Sequence, residues 1–187
     1  GLTLKCDSRA LVPRHETEFL VDELFKRLGP DFSGKIADLG SGSGAIILSL
    51  CSLLPKAHGI GLEKSDAALS LAKENLDLCN LSQQVSFQQH DWQTKSKPQE
   101  TYDIIVSNPP YLSEEDWDKT QPEVKSYDPK EALIADKQGL GDIETIIEYS
   151  HNRLNDQGFL ALEFGMHQAD TVTNLLKNLY NVEILSD

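Results

Sequence analysis

Short β-branched or apolar runs alternate along this chain with longer amphipathic patterns, and that rhythm restricts the fold more than any other feature. Lys35–Leu39 is expected to be a strand and Gly44–Leu54 a helix stopped near Pro55. Ala57–Glu63 reads as a second strand, and Ser65–Leu78 as a helix with Ser65 as its N-cap. Val85–His90 and Asp103–Ser107 read as the third and fourth strands. Gly139–Leu154 carries the helical stripe Ile143, Ile146, Ile147, Leu154; Phe159–Phe164 is a fifth strand, Gln168–Tyr180 a helix and Val182–Leu185 a sixth strand. Before all of these, His15–Leu28 reads as an extra helix with Phe19, Leu20, Leu24 and Leu28 on one side. Such alternation predicts an α/β fold: a doubly wound, mostly parallel sheet with helices on both faces. Two stretches break the rhythm. Thr94–Glu100 is polar and contains Pro98, a surface loop, and Leu112–Asp136 is long for a βα connection, as functional or mobile loops are.

The 187 residues suit one domain with a sizeable core, and 39% hydrophobic with 25% charged residues is ordinary for a water-soluble protein. No apolar run approaches the ~20 residues needed to span a bilayer. Gly1–Ala10 lacks the basic and apolar regions of a signal peptide. Lys and Arg total 17 against 30 Asp and Glu, a net charge of −13 that disfavours phosphate backbones but not a basic protein partner. Cys6, Cys51 and Cys79 lack metal-ligand spacing, and Cys51 and Cys79 fall in apolar helical stretches, as buried free thiols of a reducing compartment do. The five histidines are scattered, so no metal is expected.

Asp38-Leu39-Gly40-Ser41-Gly42-Ser43-Gly44 follows a strand and opens a helix, where glycines allow a tight turn and close approach of a ligand to the helix N-terminus. Glu63 ends the next strand 23 residues after Gly40, a position from which a carboxylate accepts both ribose hydroxyls. An acid at the strand's end, two residues before the first glycine, repels a pyrophosphate but suits the ammonium of a methionine moiety. The pattern therefore favours S-adenosyl-L-methionine over a nicotinamide dinucleotide. His90-Asp91-Trp92 ends the third strand, placing Asp91 to accept from an adenine amino group and Trp92 to cover the ring. The alternatives are a plain loop acid and a core aromatic.

Asn108-Pro109-Pro110-Tyr111 ends the fourth strand. Two prolines fix φ and remove two donors, which leaves a rigid, acceptor-rich turn. An NH2 on a planar group is a poor nucleophile because its lone pair is delocalised. The Asn108 side-chain oxygen and the Pro109 carbonyl can each accept one N–H and aim that lone pair at a methyl group, while Tyr111 stacks on the acceptor. A simple strand terminator is the other reading of these residues.

Together these segments resemble the release-factor glutamine methyltransferases, the HemK/PrmC family, over nearly all 187 residues. Leu11–Glu18 resembles the segment preceding the family's catalytic domain, and Asp38–Gly44 and Val106–Tyr111 resemble its cofactor and substrate motifs. Pro122-Glu123-Val124, Asp128-Pro129 and Ala132-Leu133 resemble its post-motif loop, and Leu162–Gly165 its fifth strand. The resemblance implies a class I, Rossmann-like S-adenosylmethionine methyltransferase, with residues 1–30 a leading segment and helix packed on a catalytic domain of 31–187. It implies N5-methylation of the glutamine in a Gly-Gly-Gln motif of a peptide-chain release factor, with S-adenosyl-L-homocysteine as product. It also implies cofactor contacts at Asp38, Gly40, Ser41, Gly42, Gly44, Glu63, Asp91, Trp92 and Asn108. Catalysis falls to Asn108, Pro109, Pro110 and Tyr111, and substrate contacts to Pro13, Arg14, Glu16, Thr17, Asn108 and Tyr111. Glu16 and its neighbours equally suit the first turn of the leading helix.

The family usually carries an N-terminal helical domain and a final antiparallel hairpin, so this chain is expected to be a fragment or trimmed form. Ile134-Ala135-Asp136 departs from the family's usual glycine pair. A monomer without direct nucleic-acid or membrane binding is expected, located in cytoplasm or mitochondrial matrix. Two other functions use the same residues: N6-adenine methylation of DNA or RNA through the same turn, and cofactor binding without catalysis.

Overall fold

The computed structural model describes residues 1–92 and 100–186. Its strands are β1 (Lys35–Leu39), β2 (His58–Glu63), β3 (Val85–Gln89), β4 (Tyr102–Ser107) and β5 (Leu154–Leu162). They form one sheet in the order β3-β2-β1-β4-β5, and each neighbouring pair is parallel. The chain lays β1, β2 and β3 outward in one direction, then returns to place β4 on the other side of β1. Where the order reverses, loops leaving adjacent strands diverge and open a crevice at the carboxyl ends. Register brings Leu39, Leu62, Ser107 and Leu162 to one level along that edge. Ser107 Oγ donates to the Leu39 carbonyl at 2.6 Å, tying β4 to β1 at the crevice floor.

Strand side chains alternate between faces, and both faces are covered. Ile36, Ile104 and Val106 meet Val21 and Leu24 of α1 (His15–Leu28) and the buried residues of α2 (Ala45–Leu53). α2 contains no charged residue, and an apolar helix of this kind is stable only when buried. Ala37, Leu39 and Ile105 face the other way, against Ile146 and Tyr149 of α7 (Gly141–His151), on which Val172 of α8 (Ala169–Leu176) packs in turn. Between β2 and β3 runs α3 (Asp66–Cys79), whose N-cap Ser65 accepts the Ala68 N–H as its sequence predicts.

The structure departs from the periodicity in five places. Leu20, Leu24 and Leu28 of α1 pack on the core as expected, but Phe19 is not among them, and Thr17 and Val21 are buried on that side. Leu112–Asp136 is ordered: it holds α4 (Glu114–Lys119), α5 (Pro122–Tyr127) and a 3-10 turn at Lys130–Ala132, and a parallel bridge pairs Leu112 with Ile134. Ser113 capping α4 and Pro122 opening α5 are the local causes. α6 (Asp136–Gly139) leads into α7, which ends at His151, so β5 begins at Leu154 rather than Phe159. α8 stops at Leu176, short of Tyr180. Val182–Leu185 is not a strand: Glu183 is drawn out to an ion pair with Arg27, and Ile184 and Leu185 are about half exposed, at 45% and 51%. The polar Thr94–Glu100 segment lies, Glu100 apart, outside the described residues.

Candidate active site

A cavity of about 320 Å³ occupies the crevice between β1 and β4. Its floor is the turn Gly40-Ser41-Gly42-Ser43, with φ of +72° at Gly40, +55° at Gly42 and +83° at Gly44, left-handed values that favour glycine at all three. The turn is closed by the Gly44 N–H on the Ser41 carbonyl at 2.7 Å and hung from β2 by the Gly40 N–H on the Leu62 carbonyl at 2.9 Å. Glu63 is buried at the cavity wall. One carboxylate oxygen accepts the Gly42 N–H at 2.9 Å and the other the Ser65 N–H at 2.8 Å, so the group that lines the cavity also shapes the turn. Each oxygen keeps a second lone pair for a ligand hydroxyl.

Trp92 forms the far wall. Its body packs with Ala37, Leu39 and Leu62 in the core, and a Cβ on Gly40 would lie 3.2 Å from its ring edge, so this core aromatic also borders the cavity. The Lys64 ammonium stands 5.8 Å from the ring centroid. Overhead runs the N-terminal segment, with Arg9, Ala10, Leu11, Val12 and Pro13 lining the cavity. It is moored by Asn75, fully buried within α3. The Asn75 Oδ1 accepts the Lys5 N–H at 2.7 Å, and its Nδ2 donates to the Lys5 and Ser43 carbonyls at 3.1 and 2.9 Å. Arg9 adds a bidentate pairing with Glu74 and Asp7, and both acids are held down to about 2 by its hydrogen bonds.

At its other end the cavity reaches Asn108 and Pro110. Beyond these lies a niche of about 40 Å³ formed by Leu11, Arg14, Asn108, Pro109, Pro110, Tyr111, Ala132, Leu133 and Glu163. Asn108 Nδ2 donates to Thr17 Oγ1 at 3.4 Å, while its Oδ1 makes no hydrogen bond among the described residues. Tyr111 donates its phenol O–H to Glu163 at 3.5 Å; burial foremost, then the charge of Glu163, pushes it up to about 12, so it stays a neutral donor. Arg14 pairs with the buried Asp128, which also accepts the Val12 N–H at 3.3 Å and so brings the leading segment onto the ordered loop.

Of the residues singled out by sequence, Gly40, Ser41, Gly42, Glu63, Trp92, Asn108, Pro110, Pro13 and Thr17 meet around the cavity. Arg14, Pro109 and Tyr111 join at the niche. Asp38, Gly44, Asp91 and Glu16 line neither. Asp38 shares the face of Ile36 and is fully buried under the start of α2. Burial first pushes it up to about 7; the Ile47 N–H favours its charged form, and Glu63 opposes it. Gly44 closes the turn, and Asp91 is exposed. Sequence reasoning missed the roof over Ala10–Val12, the wall at Ser65, Ala68, Pro129 and Ala132, and the mooring by Asn75. An asparagine on the apolar side of a helix was the one available signal for the last. Among the described residues no three His, Cys, Asp or Glu side chains gather as a metal cage.

Solved structures with this architecture include the hMettl16 catalytic domain in complex with MAT2A 3′UTR hairpin 1, with a TM-score of 0.72 and 17% identity, covering 95% of this chain and 66% of that one. Ribosomal protein L11 methylase from Lactobacillus delbrueckii subsp. bulgaricus gives 0.61 and 18%, covering 89% and 69%. The fold is that of the class I S-adenosylmethionine methyltransferases. Residues 15–124 match the Methyltransferase small domain family. Release factor glutamine methyltransferase of Escherichia coli (strain K12) is 37% identical over 189 aligned residues, covering 100% of this chain and 67% of the relative. Its counterpart in Fusobacterium nucleatum subsp. nucleatum is 36% identical over 186, covering 100% and 52%. The chain belongs to the release factor glutamine methyltransferase family. It spans about half to two thirds of the length of these curated relatives.

Proposed function

We propose that this chain is the catalytic domain of a protein-glutamine N5-methyltransferase that acts on the Gly-Gly-Gln loop of a peptide-chain release factor. The observation that carries the reading is the position of Asn108 and Pro110, which wall both the large cavity and the small niche beside it. A cavity of about 320 Å³ is in the range of small-molecule sites. Its glycine-rich floor, its ring-edge wall at Trp92 and the spare lone pairs of Glu63 suit a ribose-linked adenine with an amino-acid tail. S-adenosyl-L-methionine, when bound, supplies an electrophilic methyl on sulfur and leaves as S-adenosyl-L-homocysteine.

Glu63 would then accept the ribose hydroxyls and Trp92 would cover the adenine, while the Gly40–Gly42 turn, whose N–H groups are spent on Leu62 and Glu63, would let the backbone approach the tail closely. In the niche, Asn108 Oδ1 and the Pro109 carbonyl each accept one N–H of the substrate amide. The acceptors hold the NH2 so that its lone pair points back through the gap at Asn108 toward the methyl. Transfer would form the new N–C bond at the expense of the methyl–sulfur bond, whose electron pair would stay on sulfur, with the amide proton passing to solvent. Thr17 occupies the Asn108 NH2, which keeps Oδ1 turned to the substrate. The niche is narrow beside the cofactor cavity, about 40 Å³ against about 320 Å³, which suits a single side-chain amide. A charge of −13 also favours a protein acceptor over nucleic acid.

In this reading residues 1–30 are part of the catalytic unit, because they roof the cofactor cavity, and the protein works as a monomer where translation occurs, in cytoplasm or mitochondrial matrix. No helix among the described residues is long and apolar enough to cross a membrane. The test is mass spectrometry of a release factor incubated with the protein and cofactor. A mass increase of one methyl on the Gly-Gly-Gln glutamine is expected, lost on Asn108→Ala while cofactor affinity stays within about threefold. Methylated adenine in DNA or RNA, with an unmodified release factor, would overturn the assignment.

A further inference from the structure

We infer that Gln168 is a positioning residue for methyl transfer, holding the Asn-Pro-Pro-Tyr turn at the angle its chemistry requires; this rests on the acceptor role proposed for that turn. Gln168 lies just before α8, outside both the cavity and the niche. Its side-chain amide joins three separate segments. Oε1 accepts the Gly165 N–H at 2.9 Å, and Nε2 donates to the Tyr111 carbonyl at 3.0 Å and to the Gly139 carbonyl at 3.4 Å. All three partners are backbone groups, so the contacts fix chain positions rather than side-chain rotamers.

The Tyr111 carbonyl is also held from another side. Gly139 has φ of +84°, and a Cβ built there would stand 2.1 Å from that oxygen, a distance at which only glycine fits. The turn needs such support because it has left the sheet and its two prolines offer no N–H of their own. The Leu112 N–H of the same peptide donates to the Leu133 carbonyl at 2.9 Å, so Gln168 and this bond together clamp both polar groups of that peptide. Directly upstream, with φ fixed at Pro109 and Pro110, stand the Pro109 carbonyl and the Asn108 side chain, which are the two proposed acceptors. The Gly165 end matters as well, since the same loop carries Glu163, the partner of the Tyr111 hydroxyl and a wall of the niche. One carboxamide therefore sets the acceptors and the niche wall relative to each other.

The experiment compares Gln168→Leu and Gln168→Glu with the unaltered chain. Gln168→Leu should lower kcat roughly 10- to 100-fold, the scale of an ångström-level misplacement. KM for the release factor and Kd for the cofactor should stay within about threefold, while Tm falls by a few degrees as three backbone groups lose their partner. Gln168→Glu separates positioning from packing. Ionised, its carboxylate faces two carbonyl oxygens and activity should be low; protonated, it regains one donor and one acceptor. The ratio of its kcat to that of the unaltered chain should therefore climb at least fivefold as pH falls through the carboxyl's pKa.

A purely structural role predicts a matching loss of cofactor affinity with the same pH dependence, and that result, or a ratio flat with pH, would overturn the proposal. So would an unchanged kcat in Gln168→Leu. An activity-independent arm is hydrogen exchange at the Gly165 amide, which should speed up at least tenfold in Gln168→Leu while amides of β1 do not change. If the unaltered chain methylates another acceptor but no release factor, the functional reading fails alone, and the same ratios on that acceptor still decide the role of Gln168.

Discussion

At Asp38 a carboxylate is spent inside the fold instead of at its surface. Strand alternation turns it toward α2, away from the lining of the cavity. An acid whose folded pKa is raised weakens the fold as pH rises. Below the ordinary value of 3.8 both states are protonated and there is no effect; between 3.8 and about 7 only the unfolded chain ionises; above that the penalty is complete. Asp38→Asn should therefore stabilise the cofactor-free chain at pH 8 by a few kcal/mol, since each tenfold change in acidity is worth about 1.4 kcal/mol. The gain should shrink toward zero as pH falls to 4, as followed by urea denaturation. A gain independent of pH would mean that Asp38 is already ionised in the fold. Glu63 shows the opposite use of a carboxylate: with two backbone N–H groups on it, one side chain both builds the turn and lines the cavity. Its place at the end of β2 was legible from spacing, but its bonds to the turn were not, because they depend on how the loop after β1 folds back over β2.

At the scale of elements, the N-terminal segment is the least predictable part of the site and one of its larger surfaces. It has no periodicity, yet five consecutive residues, Arg9–Pro13, roof the cavity. Asn75 holds it to the same turn that forms the floor, so roof and floor are coupled through one buried amide. Removing that amide strands the Ser43 carbonyl and both Lys5 backbone groups, each loss costing on the order of 1 kcal/mol or more. Asn75→Ala should lower stability by roughly 2–4 kcal/mol in urea titration and weaken cofactor binding about tenfold by calorimetry. Proteolysis between Lys5 and Arg14 should become faster, and an unchanged cleavage rate would argue against the mooring. The ordered loop after Tyr111 carries a related lesson. Its caps, Ser113 and Pro122, are visible in the sequence, but short helices of this kind are stable only against the rest of the molecule.

For the whole molecule, 30 acids against 17 bases set up a self-repulsion that pairings such as Lys5–Glu74 and Lys56–Asp31 only partly relieve. Raising salt from about 10 mM to about 150 mM contracts the screening length from ~30 Å to ~8 Å. Tm should accordingly rise by a few degrees over that range in scanning calorimetry. A falling Tm would show that attractive ion pairs, including Arg14–Asp128, outweigh the net repulsion. The sheet, its parallel sense and the two covered faces were determined by the sequence alone, because the 2- and 3.6-residue periods and the glycine and proline punctuation are local properties. So was the pairing of a glycine-rich turn with Asn-Pro-Pro-Tyr. Tertiary structure decided what stands around them. It sent Asp38 under α2, laid Ala10–Pro13 over the cavity, kept Val182–Leu185 out of the sheet and brought Gln168 to Tyr111 across 57 residues. Such contacts depend on which strand ends become neighbours when the order reverses at β1 and β4, and no local pattern encodes that reversal.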